Sequence, residues 1–151
     1  LGPITIAARG DAGHVFGEKV PPQKLFRFGS VEGLRGYEAN EFGGSTAALG
    51  RARLLLGIPP RGAQPLARIG LFLIPPLRPA LVLLGETGWT EVEEDLADEL
   101  VRLGSRPTDG ARSSYGYGLS LFDDAITIER LIPFDDEDGD ARWYVGLTYW
   151  Y

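Results

Sequence analysis

The sequence predicts an all-β chain, and more narrowly a segment of an antiparallel transmembrane β-barrel. Three observations point there. Six stretches alternate with a period of two, the repeat of a strand. In the later stretches one face is bulky and aromatic while the other is small or polar. A soluble sandwich would bury the bulky face, expose Tyr144 and Trp150, and set Glu86 on an otherwise apolar face. A membrane barrel instead turns the bulky face to lipid and the small or polar face to the lumen. Third, the connections after the first, third and fifth stretches are long, long and acidic, and the turn after the fourth is very short. Outer-membrane barrels join their strands in this way, although the proline-rich connection 59–79 departs from the pattern.

The first strand covers 3–16, with Ile4, Ile6 and Ala8 on one face and Thr5, Ala7, Arg9 and Asp11 on the other. His14 lies three residues from Asp11, but no second histidine or nucleophile motif accompanies them, and a structural role is expected. The second strand, 46–58, sets Leu49, Arg51 and Arg53 against Gly50, Ala52, Leu54, Leu56 and Ile58. Residues 59–79 read as an apolar connection with some strand character, hemmed in by prolines. The third strand, 80–89, puts Ala80, Val82, Leu84 and Glu86 together, and Glu86 is its one charge.

Residues 90–104 switch to a helical period through Val92, Leu96, Leu100 and Leu103, with an acidic opposite face. Thr90 and Glu93 read as a capping box, and Gly104 as the C-terminal cap. This is expected to be a short, solvated helix on a loop. Strands at 114–122 and 125–132 flank a tight turn at Asp123 and Asp124. The last strand, 142–151, places Trp143, Val145, Leu147, Tyr149 and Tyr151 on one face and Tyr144, Gly146, Thr148 and Trp150 on the other. Aromatic residues at strand ends suit the membrane interface.

The totals set bounds on function. At 151 residues the chain is one domain. A net charge of -6 argues against a nucleic-acid partner. Cysteine is absent and histidine occurs once, so a disulfide framework, a thiolate metal site and a cysteine nucleophile are excluded. The acidic residues of 123–124 and 135–140 read as turn chemistry, so neither catalysis, a metal nor a cofactor is expected. No run of ~18 apolar residues supports a transmembrane helix, whereas a barrel signals itself only by alternation. The chain begins without methionine or a visible signal peptide, inside what reads as a strand, and is expected to be a processed or truncated piece.

Residues 17–45 form a long connection of the kind that is usually functional. Gly29, Gly33 and Gly36 free its backbone, and Arg35 stands between Leu34 and Gly36. A guanidinium buried among glycines needs a carboxylate.

Three motifs carry a family resemblance. The stretch from Val20 to Tyr37, a proline-led, aromatic and glycine-rich approach to Arg35-Gly36-Tyr37, resembles the inserted-loop signature of the outer-membrane assembly factor superfamily, also called the bacterial surface antigen family. Leu84-Gly-Glu-Thr-Gly88 resembles the family's strand motif, with Glu86 where aspartate is usual. Tyr144-Val-Gly-Leu-Thr-Tyr-Trp-Tyr151 resembles its C-terminal β-signal, marked here by Tyr144, Gly146, Tyr149 and Tyr151. The family includes BamA-type insertases, TamA-type factors and two-partner-secretion transporters. The resemblance implies about six C-terminal strands of a larger barrel in the bacterial outer membrane. It implies that the loop folds into the lumen and that Arg35 meets Glu86. It further implies insertion or translocation of client polypeptides, with outer-membrane lipid and the N-terminal remainder of the barrel as partners. A passive barrel anchor of an exported protein, or a soluble all-β binding domain, would share many of these features.

Overall fold

A computed structural model describes residues 4–17, 21, 24–29, 33–59, 67–69, 72–74, 76–102, 104–107, 110–134 and 140–147. Six long strands form one antiparallel sheet in chain order: β1 (Ile4–His14), β4 (Thr46–Gly57), β7 (Ala80–Glu91), β9 (Gly110–Leu121), β10 (Ile126–Pro133) and β11 (Arg142–Leu147). These are the six expected strands, with ends shifted by a few residues. Residues 148–151, expected to continue the last strand, lie outside the described residues. The sheet does not close: β1 and β11 are its two edges and do not pair with each other among the described residues.

The connections carry short strands, and of these only the pair within 59–79 falls where some strand character was expected. Between β1 and β4 run β2 (Phe26–Phe28) and β3 (Phe42–Gly44), paired antiparallel. In the proline-rich connection β5 (Ala67–Ile69) pairs with β6 (Phe72–Ile74). Between β7 and β9 lie helix α1 (Glu94–Arg102) and β8 (Arg106–Pro107), and β8 pairs in parallel with β3. Two long connections are thereby joined at one end of the sheet. Leu100 of α1, fully buried, packs where a Cβ on Gly43 would stand 2.7 Å from it.

The helix corrects one expectation. Thr90 does not cap it; Thr90 is in β7, opposite Ala47 and Gly110, and α1 begins four residues later. The β-ladder on both sides of Thr90 outweighs a local capping preference. Gly104 does close the helix. Its positive φ of 76° lets its N–H reach the Val101 carbonyl at 3.0 Å, while the Ser105 N–H reaches Leu100.

The register settles which side chains share a face. One row across the sheet runs Thr5, Leu55, Val82, Gly118, Glu129 and Tyr144. Along β7 this inner face holds Ala80, Val82, Leu84, Glu86, Gly88 and Thr90, all buried. The opposite face carries Ile6, Leu81, Leu83, Trp89, Tyr115, Tyr117, Trp143 and Val145, all exposed. The sheet thus shows solvent its apolar, aromatic side and turns its small and charged residues inward. Two apolar clusters lie inside. One joins Leu55, Val82, Leu84 and Leu131; the other joins Leu34, Tyr37, Phe42 and Leu49 beneath the long loop.

The β9–β10 turn holds Phe122, Asp123 and Asp124 at φ values of 55°, 58° and 76°. Aspartate tolerates this left-handed region better than phenylalanine does. Ion pairs pin the turn: Arg78 to Asp123 at 3.0 Å and Arg53 to Asp124 at 3.0 Å.

Candidate functional site

The long loop folds back over the inner face, and glycines make that approach possible. At Gly36 an added Cβ would stand 2.5 Å from the Cβ of Ser114 on β9. At Gly88 on β7 it would stand 2.8 Å from Leu34. The loop needs one of these glycines and the strand needs the other, so any side chain at either position holds the two apart. Within the loop, Gly29 has a φ of 108° and lies against the Glu38 carbonyl, where no side chain fits. The Tyr37 N–H donates to the Leu34 carbonyl at 3.2 Å, which forms a tight turn with Arg35 and Gly36 at its centre.

Arg35 meets Glu86 twice. Its backbone N–H donates to Glu86 Oε2 at 2.9 Å, and its Nε donates to Oε1 at 2.6 Å. Its Nη1 donates to Glu129 Oε2 at 2.5 Å. Both carboxylates are almost wholly buried, and the Arg35 side chain is 16% exposed. Burial works against the Arg35 charge, but the adjoining Glu86 and Glu129 carboxylates overcome it and hold the guanidinium above its ordinary value. Glu129 is also held by Arg53 Nη2 at 2.7 Å, and Arg53 continues to Asp124. Arg51 stands 3.7 Å from Glu86 and donates to the Gly33 carbonyl.

Hydroxyls complete the docking. Tyr144 donates to the Arg35 carbonyl at 2.6 Å, and Tyr37 to the Ser113 carbonyl at 2.8 Å. The five candidates Arg35, Gly36, Tyr37, Glu86 and Gly88 are therefore brought together. Of the β-signal positions, Tyr144 reaches this site from β11, and Gly146 faces inward with an added Cβ 3.3 Å from Thr127. Tyr149 and Tyr151 lie outside the described residues.

Sequence reasoning missed Glu129, Arg51, Arg53 and Asp124 as members. The signal was available: Arg51 and Arg53 share one strand face, and Glu129 sits opposite the isoleucines of its strand. Asp11 bonds Arg9 and not His14; His14 instead contacts Thr46 Oγ1 at 2.7 Å and the Phe16 ring. Arginines occupy Glu86, Glu129 and Asp124, and the described residues contain no group of three or more metal-ligating side chains. Chemically the arrangement is a charged clamp that fastens a loop tip to the inside of a sheet. No protein-family model, curated protein or solved structure matches this chain.

Proposed function

We propose that this chain is part of an outer-membrane β-barrel of the assembly and translocation superfamily. In this reading it inserts or moves polypeptides at the bacterial outer membrane, and Arg35 and Glu86 hold its loop in the lumen. One observation supports the reading most: the sheet is apolar outside and charged inside. In water that arrangement is costly on both faces; in lipid it is the stable one. The strands are long enough. Twelve residues of β4, β7 or β9 extend ~40 Å and, tilted by ~45°, rise about 28 Å, close to the hydrocarbon thickness. Trp89 stands on the outward face towards the loop end, where an interfacial girdle belongs.

The open edges of β1 and β11 need pairing in lipid, so further strands complete the barrel. A passive anchor would share the sheet. The clamp favours a lumen that opens and closes, because a loop fixed by a buried ion pair and four hydroxyl or backbone bonds is more than a filler. Client polypeptides are the expected partners.

The membrane reading is tested in vesicles whose lipids carry brominated acyl chains. A variant with Trp89→Phe and Trp150→Phe leaves Trp143 as the reporter. Flotation with the vesicles and quenched Trp143 emission are expected. A chain that stays monomeric without detergent, with unquenched emission, refutes it. The translocase reading is tested by the folding rate of an unfolded barrel client added to the same vesicles. Normal assistance by Arg35→Ala would remove the clamp from the mechanism.

A further inference from the structure

Ionisable side chains other than tyrosine stand on the outward face in only two places among the described residues of the six long strands. His14 and Glu91 share the row next to the loops, and Arg130 stands lower, within the apolar belt. Tyr117 is directly opposite it on β9 and Trp143 directly opposite on β11. Arg130 Nη1 donates to the Tyr117 hydroxyl at 3.3 Å, and its guanidinium carbon lies 5.7 Å from the centre of the Trp143 ring. Its Nε is buried and has no hydrogen-bond partner. No carboxylate among the described residues shares this part of the face; Glu91 belongs to the row at the loop end of β7.

An arginine stays protonated in any surroundings, and a cation on an apolar surface needs a counter-charge. The inner face cannot supply one, since its carboxylates point the other way and are held by Arg35 and Arg53. The aromatic pair positions the guanidinium, and among the described residues no anion compensates its charge, which leaves the place open to one from outside the protein. Resting on the membrane reading above, we propose that Arg130, Tyr117 and Trp143 form a site for the phosphate of a membrane lipid in the leaflet on the loop side. The guanidinium fork matches phosphate oxygens bidentately. The height is suitable: Arg130 lies three residues before the end of β10 at Pro133, about 10 Å along the strand, and a snorkelling side chain spans much of that distance. One row below, towards the turn end of the sheet, Leu81, Ile128 and Val145 offer an apolar surface for the acyl chains.

The test reconstitutes the 151-residue chain in phosphatidylglycerol vesicles, measures flotation, and counts retained lipid by native mass spectrometry after detergent extraction. Arg130→Gln is expected to float normally but retain about tenfold less phosphatidylglycerol, the effect of losing one charge-assisted contact. Arg130→Lys, a point charge without the fork, is expected to fall between. Diacylglycerol, which lacks the phosphate, is expected to be retained equally by all three. Adding about 10 mM inorganic phosphate is expected to leave wild-type retention unchanged, because the chains contribute to binding. Equal retention by floating wild type and Arg130→Gln overturns the site alone. Stripping by inorganic phosphate overturns the lipid as its source. Failure of both proteins to float while they stay soluble and monomeric without detergent overturns the membrane reading and the site with it.

Discussion

Replacing Arg35 by alanine removes one guanidinium and leaves two buried carboxylates short of a partner. Breaking a buried pair by removing one member typically costs ~3–5 kcal/mol. Three features put Arg35→Ala at the lower end. Arg53 still holds Glu129, Arg51 still stands near Glu86, and the Arg35 side chain is 16% exposed. Two loop anchors also survive, because the Arg35 backbone N–H and carbonyl keep Glu86 and Tyr144. We expect docking of the loop to weaken by about 3 kcal/mol, on the order of a hundredfold in its opening equilibrium. Amide hydrogen exchange reads this directly: residues 33–37 should exchange faster by that factor, while the ladder amides of β7 keep their protection. Glu86→Gln should cost less, about 1–2 kcal/mol, since the amide oxygen still accepts from Arg35. Less than a threefold change in Arg35→Ala would refute the clamp. Charge exchange sharpens the point. Arg35→Glu with Glu86→Arg rebuilds that pair but sets the introduced carboxylate against Glu129, so only partial recovery is expected, and adding Glu129→Gln should improve it.

Other consequences are equally accessible. Gly36→Ala should undock the loop with every charge intact, and Ser114→Gly in the same chain should restore docking, as exchange at Tyr37 would report. Tyr144→Phe deletes one hydroxyl bond to the Arg35 carbonyl and should cost about 1 kcal/mol, roughly fivefold in exchange at residues 34–37. The Arg35 guanidinium is held above its ordinary value, so its contribution is fully present below that ordinary value and is lost only as pH rises through the raised one. Raising the pH from about 7 to about 9 should therefore leave loop protection unchanged once exchange is corrected for its intrinsic pH dependence; a progressive loss over that range would show that another titrating group secures the loop.

Much of this architecture was legible because a strand has a short period. Alternation alone located all six long strands, put Arg51 and Arg53 on one face of theirs, set Glu129 opposite the isoleucines of its strand, and left Glu86 as the one charge on an apolar face. A charge inventory marked Arg35 and Glu86 as charges that each needed a partner, and the family resemblance supplied the pairing between them. Register was not legible. Glu129 reaches Arg35 only because β10 sets it opposite Gly118, and no local pattern encodes that alignment. The short strands β2, β3 and β8 escaped because two or three residues carry no period. The supposed cap at Thr90 failed for a related reason: capping is a local preference, and two neighbouring strands hold Thr90 extended.

Glu129 binds two arginines, and this has a mechanical consequence. Arg35 belongs to the loop, while Arg53 reaches on to Asp124 in the left-handed turn between β9 and β10. Five residues of chain, about 16 Å when extended, separate Glu129 from Asp124 in that turn. A force that draws the loop out of the sheet must pull on Glu129, and through it on the side chain that steadies the turn. The two mouths of the sheet are thus wired in series, and a tug at one is felt at the other.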